Sequence, residues 1–251
     1  MSTDWWPAEV VQHDRRSPDI AVFRCRTFQP LPFRAGQHVP IECPYLPWRS
    51  ASYSIANAPR LDRVLEFHVR APAGPLPGPD GHVGPVDPRV SAALVHRLKL
   101  GDTLRLGAPR GSLTLDPYSR RDLVFVTAGT GLAPAKALIE ELSRFNRTRW
   151  IHLFRGERDD RDFYDRRALD LLAGRHPWLT IVRAKTDVAD LVTAHGPWPD
   201  HDFYVTGPPA TVAEIVRRLE SCRVPTARIR YDDALSRRLG AGGGAGLPPR
   251  G

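Results

Sequence analysis

Between Asp122 and Phe154 the chain runs through an apolar block, LVFVTA, a glycine turn, GTGLAP, an amphipathic stretch, AKALIEELSRF, and a second apolar block, WIHLF. Two strand-length blocks separated by a helix-length segment do not close as a hairpin. The helix has to cross one face of a sheet and return the chain parallel. The alternation continues with a predicted helix near Arg167 to Ala173, a strand Leu179 to Val182, a short helix Val188 to Ala194, a strand Phe203 to Thr206, a helix Thr211 to Leu219 and a last strand Arg228 to Tyr231. This half of the chain therefore reads as a parallel α/β sheet wrapped on both faces, the architecture of nucleotide-binding domains.

The first half has a different grain. Short β segments bounded by turn formers are predicted at Val10 to His13, Ile20 to Arg26, His38 to Glu42, Ser52 to Ala56, Val64 to Arg70 and Thr103 to Leu106, with one helix at about Ser91 to Leu98. Six such segments suit an antiparallel six-stranded β-barrel. Between Ala71 and Pro88 the sequence APAGPLPGPDGHVGPVDP is too rich in Pro and Gly for a helix or a central strand, so it reads as a loop. The expected organisation is a barrel domain over residues 1–116, an α/β domain over 117–235 and a disordered tail over 236–251, where GAGGGAGLPPRG has little to bury.

Composition narrows the function classes. The 251 residues are 41% hydrophobic and 25% charged, within the globular range, and no apolar run is long enough for a membrane helix. The three cysteines, Cys25, Cys43 and Cys222, are odd in number and far apart, which supports neither a disulfide framework nor a CxxC metal or cluster site and suits a reducing cytoplasm. Of 36 basic residues 33 are arginine, yet they lie scattered among 28 acids, with no basic stripe or recognition motif to suggest nucleic acid and no anchor to suggest a membrane. His13, His96, His152, His176, His195 and His201 lack the i, i+4 or carboxylate spacing of a metal site, so no metal is expected.

Two motifs carry chemistry. In GTGLAP, Gly129 and Gly131 allow backbone conformations closed to other residues, and Pro134 suits a first helical turn. Such a turn aims unpaired amides and the positive end of a helix at one spot, where a pyrophosphate binds. In the first half, WRSASYSIANAPR (Trp48 to Arg60) sets Tyr53 and Ser54 on a short strand, suited to packing beside a flat ring and hydrogen-bonding its edge.

Together with LEFHVRA (Leu65 to Ala71), this arrangement resembles the ferredoxin-NADP reductase family, especially the reductase parts of flavohaemoglobin-like proteins and of bacterial oxygenase reductases. The likeness runs from about Trp5 to Asp233. It implies FAD in the barrel domain and NADH or NADPH in the α/β domain. Tyr53 would lie against the isoalloxazine, Ser54 near its N5, and Ile55 would hold it through the main chain. His68, Val69 and Arg70 would border the ribityl and pyrophosphate, and Ser91 would meet a phosphate at the amino end of the barrel helix. Thr127, Gly129, Thr130 and Gly131 match the nicotinamide-nucleotide pyrophosphate loop, Gly156 and Arg158 the adenosine ribose region, and Thr206, Gly207 and Pro208 the segment beside the nicotinamide. Tyr53, Ser54 and Thr206 are the expected catalytic group.

The chain departs from the family pattern at four places. Ala51 stands where the family has a phosphate-binding Arg, and Arg49 two residues earlier is the candidate replacement. The Pro/Gly-rich loop replaces the shorter approach to the phosphate helix, Thr206 replaces a thiol, and the C-terminal aromatic is missing near Asp232. Without cluster cysteines or a globin, the implied acceptor is another protein, such as a globin or oxygenase component, another chain or a small molecule. The alternative reading, motivated by the departures, is a reductase fold that serves as a nucleotide-binding or regulatory module without catalysis.

Overall fold

The computed structural model describes residues 5–74, 76, 87–157 and 163–232. The tail predicted over 236–251, Arg158 and most of the Pro/Gly-rich loop lie outside the described residues.

Six antiparallel strands form the first unit: β1 (Trp6–Arg15), β2 (Ile20–Thr27), β3 (His38–Glu42), β4 (Ser50–Ser54), β5 (Val64–Arg70) and β6 (Thr103–Leu106), in the order β4-β3-β6-β1-β2-β5. A bridge between Ile55 and Phe67 joins the two edges and nearly closes the barrel, which leaves little open edge. β1 is longer than its apolar run because its first part pairs with β6 while most of it pairs with β2, with a bulge between Val10 and Gln12. The helix α1 (Pro88–His96) buries Val90, Leu94 and Val95 in the same core as Phe23, Ile41, Leu65 and Phe67.

The second unit is a five-stranded parallel sheet. Its elements are β7 (Asp122–Thr127), α2 (Leu132–Phe145), β8 (Ile151–Gly156), α3 (Arg166–Arg175), β9 (Leu179–Ala184), α4 (Val188–Ala194), β10 (His201–Thr206), α5 (Pro209–Ser221) and β11 (Ile229–Arg230), in the strand order β11-β10-β7-β8-β9. Alternation along β7 serves both faces. Leu123 and Phe125 pack with α2, and Val124 and Val126 with α4 and α5. β7 lies between β10 and β8, so the chain reverses its direction of travel across the sheet there. Ligands of open parallel sheets bind at the carboxyl ends of the strands flanking such a switch point, here Thr127 and Thr206.

Alternation along the barrel strands also fixes how the two units meet. Ala21 and Phe23 of β2 face the barrel core, while Ile20 and Val22 join the apolar cluster of α2. On β5, Leu65, Phe67 and Val69 point inward, and Glu66 and His68 point the other way and are buried as well. The barrel wall is thus one side of the interdomain contact.

Candidate functional site

A cleft of about 440 Å³ opens where the two units face each other. Ser52, Tyr53, Ser54 and His68 line it from the barrel; Thr130, Gly131, Pro134, Thr206, Gly207 and Pro208 line it from the α/β unit; and Asp232 closes one margin. The two motifs singled out from sequence therefore meet across one slot, at the switch point of the sheet.

The α/β wall is held very close. Thr206 Oγ donates to the oxygen of Gly131 at 2.7 Å. Its hydrogen is committed inward, so toward the cleft Thr206 presents acceptor lone pairs. Gly129 has φ +55° in the turn that opens α2, and its N–H donates at 2.9 Å to Glu157 Oε1. Thr127 is fully buried and donates to Phe154 O at 3.3 Å, holding β7 to β8 and facing away from the cleft. At Gly156 a β-carbon would stand 2.6 Å from the backbone at Thr186 and Val188, so this glycine admits the start of α4. Arg155, near the carboxyl end of β8, is wholly enclosed: it donates to Tyr164 O at 2.9 Å and pairs with Glu157 at 3.2 Å.

On the barrel wall Tyr53 is nearly buried, and its phenol oxygen lies 2.9 Å from Ser91 Oγ. Burial pushes that phenol well above its ordinary pKa, so it stays a neutral hydroxyl. Ser54, half-buried at the end of β4, lines the slot. Ile55 is enclosed, with its N–H given to Gln37 O at 3.0 Å, and Val69 faces the barrel core. Arg70 ends β5 beside Asp19, 3.6 Å away, and its guanidinium also approaches Gly129. Ser91 faces Tyr53 from within the first turns of α1. Arg49 reaches Asp87 at 3.3 Å.

Sequence reasoning missed the charged cluster beneath the cleft. The His68 side chain is wholly buried, so what it offers the slot is main chain. Its ring bonds Glu66 at 3.0 Å and the Tyr164 hydroxyl at 2.9 Å. Lys136 of α2 contacts Glu66 closely and lies 3.8 Å from Asp165, while Arg24 reaches Glu66 at 2.7 Å. Burial alone would raise the Glu66 pKa; the hydrogen bond from His68 and the charge of Lys136 outweigh it and hold the group well below the ordinary carboxylate range. Burial, with Lys136 nearby, lowers His68 and keeps the imidazole neutral. Glu66, His68 and Asp165 have the donor set of a cation site, and the cation among them is the Lys136 ammonium. The signal in the sequence was a Glu and a His inside a strand buried along both faces.

Comparison with known proteins agrees with this geometry. Residues 125–217 match the family model described as an oxidoreductase NAD-binding domain. A solved ferredoxin reductase of a carbazole 1,9a-dioxygenase superposes with a TM-score of 0.77 at 27% identity, covering 92% of this chain and 70% of that one. The α/β unit carries the match to an oxidoreductase NAD-binding domain, and the chain as a whole is similar to reductases of oxygenase systems. Among curated relatives, the reductase component of a phenol 2-monooxygenase from Pseudomonas sp. (strain CF600) is 28% identical over 93% of the chain. Reductase component 2 of a terephthalate 1,2-dioxygenase from Comamonas sp. is 30% identical over 83%. The chain spans 65% and 62% of the lengths of those two relatives. Among the described residues, no helix is long and apolar enough to cross a membrane.

Proposed function

We propose that this protein is a flavin-dependent oxidoreductase that takes a hydride from NADH or NADPH and passes electrons to a separate acceptor, an oxygenase component or another redox protein. The observation that carries the reading is the shared cleft. Tyr53, Pro134, Pro208 and Gly131 give it apolar and glycine lining from both units, and Ser54, Thr130 and Thr206 add hydroxyl-bearing residues. Such a slot suits two stacked planar rings with polar rims, and about 440 Å³ is within the range of cofactor sites.

A bound flavin supplies a ring that accepts a hydride and releases electrons singly. The chain supplies orientation. Tyr53 would be the surface for one face of the ring, and its bond to Ser91 anchors the phenol oxygen. Ser54 is the hydroxyl placed for the ring edge. Thr206, locked by Gly131, would position a nicotinamide from the opposite wall, and the cleft between the walls would orient the two reacting rings and limit water. A relay through the buried histidine is not part of the reading, since His68 is neutral and turned into the protein. The free cysteines suit a reducing cytoplasm.

The relatives named as reductase components of oxygenase systems support an electron-accepting protein partner. The test is direct: purify the protein, supply FAD, and follow NADH and NADPH oxidation with ferricyanide as acceptor. Flavin uptake and turnover with either nucleotide are expected; a protein that takes up no flavin and oxidises neither overturns the reading.

A further inference from the structure

We propose that Asp87 bars phosphate from the amino end of α1, so that this protein grips its flavin through the ring and not through phosphate at that helix, and releases it readily to solution. The inference rests on the reading of the cleft as a flavin site.

The amino end of α1 has every attribute of an anion position. It is the positive end of a helix dipole, and Arg89 and Arg49 converge on it. It also adjoins the cleft, because Tyr53, which lines the slot, bonds Ser91 of α1. A phosphate tail on a ring seated against Tyr53 would reach this end.

The position is filled from within the chain. Pro88 has no N–H to offer. The Arg89 amide donates to Asp87 Oδ1 at 2.9 Å, and the amides of Val90 and Ser91 point at Asp87 O at 3.1 and 3.5 Å. The Arg89 guanidinium grips the same carboxylate at 2.9 and 3.0 Å, and Arg49 reaches it at 3.3 Å. The Asp87 side chain is only 6% exposed. The Asp87 carboxylate therefore holds the first amide of the helix and nitrogens of both arginines, while the Asp87 carbonyl takes the next two amides, and an incoming dianion would meet a resident carboxylate at close range. Displacing that carboxylate would leave it buried without its hydrogen bonds.

The test compares riboflavin, FMN and FAD by fluorescence quenching on the full chain, in the wild type and in Asp87→Gly and Asp87→Asn. Gly and Asn are both accepted as helix caps, so α1 is kept; far-UV circular dichroism checks it. The expected result is a wild type that favours FAD over riboflavin by less than about tenfold, with the preference rising by about tenfold or more in Asp87→Gly and in the same direction in Asp87→Asn. A preference that stays level or falls in both variants overturns the role of Asp87 while leaving the flavin site standing. Failure of all three proteins to bind any flavin overturns the flavin reading and this inference with it.

Discussion

Thr206 and Gly131 are joined by a hydrogen bond of 2.7 Å that ties the carboxyl end of β10 to the turn opening α2. The segments lie so near that a β-carbon on Gly131 would stand 2.6 Å from Gly207 N and from the carbonyl carbon and oxygen of Thr206. Backbone cannot rotate away as a side chain can. Gly131→Val is therefore expected to spread the nicotinamide wall itself, lowering stability by about 1–3 kcal/mol and weakening nicotinamide-nucleotide binding while the barrel's flavin affinity is unchanged. Thermal unfolding with NADH and NADPH titrations checks this, and unchanged nucleotide affinity would refute it.

Lys136 is the second tie between the units, linking α2 to Glu66 on the barrel wall. Removing its charge leaves Glu66 buried with Arg24 and His68 as its remaining partners. Lys136→Met is expected to cost about 3 kcal/mol, as for a broken buried pair. Adding Glu66→Met should recover much of that loss, because the stranded carboxylate is gone. Urea unfolding of the two single variants and the double variant measures the coupling; strictly additive losses would show that the pair does not interact.

At Tyr53 the hydroxyl and the ring have separable tasks. Tyr53→Phe removes the bond to Ser91 Oγ and is expected to cost about 1 kcal/mol, while the ring face is kept. Flavin affinity, read by fluorescence quenching, should then change little. Tyr53→Ala removes the face, and affinity should fall about tenfold or more. Equal affinity in both variants would mean that the phenol ring is not a flavin surface.

How far the fold can be read in the sequence depends on which forces act locally. The strands β3, β5 and β6 coincide with their predicted spans, because alternating apolar residues between turn formers decide them within a few residues. The glycine turn and its flanking strand and helix were legible for the same reason. β1 extends well beyond its apolar run because its ends follow two partner strands, a long-range fact. α1 begins at Pro88, earlier than its apolar stretch suggests, since Asp87 supplies the cap. At the site, Tyr53, Ser54, Gly131 and Thr206 were found through motifs. The charged cluster escaped because Glu66, His68, Lys136 and Asp165 come from distant parts of the chain, and only the packing of barrel on α2 brings them together. Arg155 shows the same dependence on packing: from the carboxyl end of a nucleotide-fold strand its side chain turns into the core toward Glu157 and Tyr164 O, a direction that the local sequence does not carry.

The same buried cluster gives stability a defined pH dependence. His68 is held below its ordinary pKa by burial, so the folded protein keeps it neutral where the unfolded chain takes up a proton. A group depressed in this way contributes fully above its unfolded value, about 6.5, and the contribution is lost as pH falls toward the folded value. Glu66 is depressed as well, by His68 and Lys136 against the effect of burial, so its own contribution falls away only below about 4.3, the unfolded carboxylate value. Between pH 7 and 5 the wild type should therefore lose stability faster than His68→Gln, by up to about 1.4 kcal/mol per pH unit for the one extra proton. His152 and His201 are also lowered by burial and remain in both proteins, so they drop out of the difference. Urea unfolding at pH 7, 6 and 5 tests this. Parallel decline of the two proteins would show that His68 titrates alike in the folded and unfolded states.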